Sequence, residues 1–131
     1  NSANTYNGPT YIQNAGVLNA NVANALPTLS GRTAIIMNNT AGNSLNLAAS
    51  QSIASLAGGA NDTVALGANS LTVGAASGST IYAGSLSGTG GSLVKDLSST
   101  LTLDQAASYT GGTTVNGGTR GFFRVIRTAE T

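Results

Sequence analysis

The chain has 131 residues, of which 40% are hydrophobic and 7% charged, with a formal net charge of +1 and neither cysteine nor histidine. The length suits one domain, and the missing cysteine excludes disulfides and thiolate metal sites. Glycine, alanine, serine, threonine and asparagine make up 84 of the 131 residues, but disorder needs low hydrophobicity and high net charge, so an ordered β protein is expected instead.

In chain order, residues 1–18 hold a short unit around Tyr6, Gly8, Thr10 and Ile12. Residues 19–32 form a connector, in which Asn21 to Leu26 are expected to make a turn of helix before Pro27. Ala34 to Met37 form a buried-strand candidate, and Asn38 to Asn43 form a turn. Alternating apolar sets follow: Leu45 and Leu47, Ile53 with Leu56, Val64 and Leu66, Leu71 and Val73, Ile81 and Ala83, then Leu86, Leu93, Leu101 with Leu103, and Val115. Alternation at a period of two marks strands with one buried face. The steps from Leu45 to Val64, Val64 to Ile81 and Ile81 to Leu101 are 19, 17 and 20 residues.

A near-constant step of this size predicts an all-β chain folded as a right-handed parallel β-helix (β-solenoid), with about three short strands per coil stacked at roughly 4.8 Å. A narrow interior filled by Leu, Val, Ile and Ala fits a chain with no tryptophan and two phenylalanines. Leu45, Leu47, Val64, Leu66, Leu71, Val73, Ile81, Leu101 and Leu103 are expected in one buried stack. Glycines and asparagines suit sharp corners, with Asn61, Asn69 and Asn116 as candidate corner residues.

The segment 120–131, RGFFRVIRTAET, leaves this pattern and holds both phenylalanines and three of the five basic residues. It reads as a cap, a reading-frame artefact or a basic membrane-touching segment, in that order. No apolar run reaches the ~20 residues of a membrane helix, and the N-terminus lacks the basic and apolar regions of a signal peptide.

Catalytic chemistry finds few residues to carry it. The acidic residues are Asp62, Asp96, Asp104 and Glu130; Asp96 and Asp104 bracket the TLTL strand and are expected to satisfy backbone donors at its turns. Without histidine or cysteine the serines lack the usual activating base, so no enzyme activity, cofactor or metal is expected. Residues 58–66, GGANDTVAL, look like a degraded calcium-binding nonapeptide, but Ile53 and Leu71 stand nine residues either side of Asp62. Successive aspartates are therefore missing, and an ordinary turn is expected. Ser70 with Thr72 and Thr100 with Thr102 resemble the paired rows of ice-binding solenoids, but Thr80 with Tyr82 interrupts the row, and such residues are good strand formers in any case. Only Arg32 and Lys95 are basic within residues 1–119, so no nucleic-acid partner is expected.

The chain also repeats itself. Tyr6, Gly8, Thr10 and Ile12 align with Tyr109, Gly111, Thr113 and Val115 at an offset of 103 residues, and Asn14 and Gly16 align with Asn116 and Gly118 at 102. The fuller copy, residues 90–119, contains Leu93, Val94 and Lys95, then Thr100, Leu101, Thr102 and Leu103, then Tyr109, Thr110, Gly111, Gly112, Thr113, Thr114 and Val115. In order and spacing it resembles the passenger-associated transport repeat of bacterial autotransporters. Leu97 and Ser99 stand where that family usually has glycines and Arg120 where it has leucine, so the turn after Lys95 is expected to be remodelled.

The resemblance implies a β-solenoid passenger segment over residues 1–119, with a partial repeat at 3–18, followed by the non-repeat tail 120–131. It implies an adhesin-like passenger fragment of a Gram-negative bacterium, secreted or displayed on the cell surface, forming a structural stalk that assists passenger folding and secretion. Its implied partners are the rest of the passenger and an outer-membrane barrel outside this chain. Further readings are a host surface ligand and a homodimer closed through the open solenoid ends or the tail. The alternative is an adhesive binding module using an exposed Ser/Thr/Tyr face through Tyr11 or Tyr82.

Overall fold

A computed structural model describes residues 4–28, 31–38 and 42–116, and the backbone alone of 123–125. Among these residues there is no helix, and hence none long and apolar enough to cross a membrane. Short strands follow one another around a coil. The first coil has two, β1 (Thr10–Gln13) and β2 (Val17–Ala20). The second has β3 (Ala34–Asn38), β4 (Ser44–Leu47) and β5 (Gln51–Ile53). The third has β6 (Ser55–Ala57), β7 (Thr63–Ala65) and β8 (Ser70–Val73). The fourth has β9 (Ser79–Tyr82), β10 (Ser85–Gly88) and β11 (Ser92–Lys95). The fifth has β12 (Thr100–Leu103), β13 (Ser108–Tyr109) and β14 (Thr113–Val115), and β15 (Phe123–Val125) opens a sixth.

Every strand pairs in parallel with its counterpart one coil away, which makes the molecule a parallel β-solenoid of about five turns. It has three faces. One runs β2-β4-β7-β10-β13 and another β5-β8-β11-β14. The third joins β1-β3-β6 to β9-β12-β15 through a bridge between Gly58 and Tyr82. Parallel strands need a crossover, and here the other two faces of the coil supply it.

Coil length varies more than the apolar spacing implied. Val17 lies opposite Ser44, an offset of 27, whereas Ser44 lies opposite Thr63, an offset of 19. The strands must hold register to keep their apolar residues inside, so extra residues collect in the corners. Inside, residues stack in columns: Leu45 on Val64 on Leu86, and Ile53 on Val73 on Lys95. Of the nine residues expected in the buried stack, Leu45, Leu47, Val64, Leu66, Leu71, Val73, Leu101 and Leu103 are buried.

Ile81 is not: it is 54% exposed, and its neighbour Tyr82 is fully buried in its place. Strand β9 therefore presents Thr80 and Tyr82 inward, opposite Leu101 and Leu103. Two glycines make the room. A Cβ on Gly58 would lie 2.9 Å from the Tyr82 ring and one on Gly84 2.6 Å from its hydroxyl, and the hydroxyl donates to the Ser85 carbonyl at 2.8 Å. Val115 lies in strand β14 as its sequence suggests, but it is 53% exposed. Among the described residues no strand pairs with the far edge of β14. The connector forms a hydrogen-bonded turn, Ala25 N–H to Val22 C=O at 3.1 Å, rather than a helical turn, because Asn24 takes a left-handed φ of 52°.

The Ser/Thr rows separate as well. Ser70 and Thr72 are on β8 and Thr100 and Thr102 on β12, on different faces. Of the tail, residues 123–125 continue the ladder beside β12. The expectations for its other residues lie outside the described residues.

Candidate functional site

The repeat residues occupy one stretch of wall and two corners. Leu93, Lys95, Leu101, Leu103 and Tyr109 point inward and are buried, while Val94, Thr100 and Thr102 alternate with them on the outer surface and are half-buried. Thr110, Gly111, Gly112, Thr114 and Val115 are exposed, and Thr113 is half-buried.

The first corner follows β11. Lys95 is the last inward residue of that strand, so its stem packs in the interior beside Val73. Its ammonium turns back to donate to the carbonyls of Asp96 at 2.6 Å and Leu97 at 3.3 Å. Burial pushes its pKa below the ordinary lysine value; the nearby Asp96 opposes that shift and Arg32 adds to it. Leu97 adopts a φ of 57°, the left-handed conformation that glycine would take freely. The turn after Lys95 is thus kept in a glycine-like shape without the glycine. Holding leucine there costs about 1–2 kcal/mol, and the Lys95 ammonium fastens the carbonyl that this conformation turns toward it. Ser99, buried at the other departure from the repeat, accepts from the Ala75 N–H at 3.0 Å.

Asp96 does not serve the backbone donors of its turn as expected; its carboxylate forms a bidentate pair with Arg32, at 2.6 and 3.0 Å. Arg32, at the edge of the second coil, also donates to the Gly74 carbonyl at 3.3 Å, so its side chain runs along the solenoid axis past two corners. Gly74 lets the carboxylate lie flat, since a Cβ there would be 1.9 Å from Asp96 Oδ1. Asp104 is exposed, and its N–H donates to the Tyr82 carbonyl at 3.0 Å.

The second corner joins β13 to β14. The Tyr109 hydroxyl meets the Thr113 hydroxyl across the Gly111–Gly112 turn, and in the partial repeat Tyr6 meets Thr10 in the same way. The repeat is therefore a local structural unit. It sits at different places around the coil, however, since Thr10 opens β1 and Thr113 opens β14, strands of different faces.

A third, polar corner falls outside the repeat. Asp62 is buried; its Oδ1 accepts from the backbone and side-chain nitrogens of Asn43 at 2.8 and 3.0 Å, and its Oδ2 from the Gly59 N–H at 2.7 Å. Asn43 in turn accepts from the Gly16 N–H at 3.2 Å, which ties three coils together. The carboxylate satisfies three donors; the Gly59 contact closes the turn at GGANDTVAL, and the two from Asn43 are a link between coils that the turn alone does not imply. Among the described residues no three histidine, cysteine, aspartate or glutamate side chains gather where they could hold a metal ion. Asn69 bridges coils by donating to the Leu47 and Leu66 carbonyls at 2.9 and 3.1 Å. Asn116 does so through its backbone N–H to the Lys95 carbonyl at 2.7 Å.

Sequence reasoning missed Arg32, Asn43 and Gln51. Their partners stand whole coils away: Asn43 and Asp62 are 19 residues apart, Arg32 and Asp96 are 64. Coil-multiple spacing between polar residues in a charge-poor chain was the available signal. No protein-family model, curated protein or solved structure matches the chain.

Proposed function

We propose that this chain is a structural stalk segment of a secreted or surface-displayed autotransporter passenger, with each finished coil serving as the template on which the next pairs. The parallel ladder carries this reading: it runs unbroken along two faces and is joined on the third by the Gly58–Tyr82 bridge. From β4 through β14 every strand finds its partner one coil away, at offsets of 19 residues between Ser44 and Thr63 and 24 between Gly58 and Tyr82. Corners of this length leave little room for an inserted domain, and an open strand edge recruits the next strand through unpaired N–H and C=O groups. The repeat resemblance adds the link to secretion, and the role is mechanical, with no chemical step assigned to any residue.

The test joins the chain to an autotransporter barrel in a Gram-negative host and measures surface display by labelling intact cells. Leu101→Asp puts a charge in the stack and should lower display several-fold while the barrel level stays constant. Equal display of the two forms would make the chain passive cargo and end the proposal.

One observation favours the adhesive alternative. On the outside of the β1-containing face, Tyr11, Ile36, Ala57, Ile81 and Thr102 fall in one column, with Tyr11 55% and Ile81 54% exposed. Tyr82, fully buried, takes no part in it. Loss of host-cell adhesion in Tyr11→Ser with Ile81→Asn, at unchanged stability, would support that alternative over the stalk.

A further inference from the structure

The first coil lacks a strand on its third side. Where the other coils place β5, β8, β11 and β14, residues 21–28 cross as an irregular connector. This connector is fastened at the start of β5, to the backbone of Ser50 and the side chain of Gln51. The Asn24 N–H donates to the Ser50 carbonyl at 3.1 Å, and the Leu26 N–H donates to Gln51 Oε1 at 3.1 Å. Gln51 Nε2 donates to the Val22 carbonyl at 2.7 Å. Gln51 is a buried amide at an inward position that in the next coil is leucine, Leu71. Its side chain thus supplies the connector with the backbone partners that a strand would have found in a ladder.

Leu26 is buried and belongs to the core cluster, and Ile12 and Ala20 of the same terminal coil are buried with it. Both the N–H and the side-chain amide of Asn4 donate to the Ala25 carbonyl, at 3.1 and 2.8 Å, and so tie the start of the described chain across the same end. Among the described residues, three of the four non-glycine residues with positive φ, Asn14, Ala15 and Asn24, lie in this coil. Backbone held in that region persists where the surroundings impose it. At the other end, the inward-pointing Val115 of β14 is 53% exposed.

We propose that residues 4–28 are an end cap, whose role is to keep a second copy of this chain from stacking on the N-terminal end of the solenoid. All sheets are parallel, so the outer edges at the two ends are complementary: β13 and β14 of one copy have the direction needed to extend β2 and β5 of another. Such a contact is heterologous and does not close, which makes it a route to fibres. The connector lies across the start of β5 and fills the mouth of the interior with Leu26, so the incoming coil has neither a complete edge nor an open core to pair with. The proposal is independent of whether the chain is a stalk or an adhesin.

The experiment uses the full chain. Leu26→Asp expels the plug, and Gln51→Leu leaves β5 intact while removing the two side-chain bonds to the connector. A third substitution, Val115→Pro, blocks the opposite end. The Asn116 N–H already donates to the Lys95 carbonyl, and the Gly112 carbonyl accepts from the Leu93 N–H, so by alternation the Val115 N–H points away from β11, to the side where no described strand pairs. Proline there removes an outward donor and no ladder bond.

By sedimentation over a hundredfold concentration range, the parent chain should keep the mass of one copy. The two cap variants, with β-type circular dichroism retained, should grow in mass with concentration, and Val115→Pro added to either should restore the single-chain mass. If Leu26→Asp does not fold, Gln51→Leu decides alone. Folded cap variants that stay single, association that survives Val115→Pro, or a parent chain that already stacks would each overturn the proposal.

Discussion

Strands β9 and β12 lie side by side in one sheet and pair from Ser79 opposite Thr100 to Tyr82 opposite Leu103. Yet one was legible in sequence and the other reads inside out. In TLTL the apolar residues are both leucines, two apart, and both are buried. In STIY the most hydrophobic residue, Ile81, faces solvent while Thr80 and Tyr82 face the core. A strand obeys the register of its sheet rather than its own hydropathy, and a one-residue slip would turn every side chain of β9 over. The balance is set elsewhere, by Gly58 and Gly84, which vacate the space for a tyrosine ring that no aliphatic residue would fill.

The largest effects should separate the two sides of β9. Tyr82→Ala is expected to cost about 3–5 kcal/mol and Leu101→Ala about 2–5 kcal/mol, whereas Ile81→Ala, on the outer surface, should stay within about 0.5 kcal/mol. Denaturant midpoints at constant slope measure all three. An Ile81→Ala loss as large as that of Leu101→Ala would put isoleucine back inside. Next comes the space itself. On Gly58 an added Cβ would sit 2.8 Å from Asp62 Oδ2 as well as 2.9 Å from the tyrosine ring, so Gly58→Ala should lose about 1–3 kcal/mol by overpacking. Much of that loss should disappear in a Tyr82→Leu background, and additivity of the two changes would show that the glycine does not serve the ring.

These contrasts also explain how far the sequence could be read. Alternation and a step of about twenty residues were sufficient for the solenoid, because Leu45, Val64, Leu71 and Leu101 need no information beyond their own strands. The Lys95 to Val115 stretch was legible as a repeat, but the structural use of its lysine was not, since an inward lysine depends on carbonyls presented by a left-handed Leu97. Arg32 with Asp96 and Gln51 with the connector were hidden for a related reason. Their partners are fixed by the number of residues in each corner, which alternation does not encode.

Thr80 gives the opposite sign. Among the described residues its hydroxyl is the buried side-chain oxygen without a hydrogen-bond partner, in the column between Leu56 and Leu101. Thr80→Val keeps the shape, removes the unsatisfied group, and should stabilise by about 1 kcal/mol. A loss would mean that water or a neighbouring group serves the hydroxyl.

Titration in alkali distinguishes the strands again. Burial, with Asp62 adding to it, raises the Tyr82 pKa well above its ordinary 10.0. The folded state then holds that proton more tightly than the unfolded state, and stability should fall as pH rises beyond about 10. Lys95 has the opposite sign: its folded pKa is depressed below 10.5, so the unfolded state binds more protons in that window and stability should climb as pH approaches it. Chemical denaturation between about pH 8 and 11, where lysine and tyrosine titrate, should show a small rise followed by a fall. Tyr82→Phe should remove the fall and Lys95→Met the rise; a profile unchanged by either substitution would refute the assignment.

The smallest expected effect lies in the corner that leads into β12. Leu97 is 49% exposed, so its side chain contributes little burial, while its φ of 57° is unfavourable for any residue with a Cβ by about 1–2 kcal/mol. Leu97→Gly removes that strain but loosens the unfolded chain by about 0.4–1 kcal/mol, leaving a net gain between about 0 and 1.6 kcal/mol. Leu97→Val should lose at least as much, because a β-branched side chain tolerates positive φ least. The carbonyl that Lys95 reaches belongs to residue 97 whatever its side chain, so Leu97→Gly should leave the alkaline rise intact. A glycine variant that destabilises and also abolishes that rise would mean that the leucine side chain, rather than the backbone shape, holds the lysine in place.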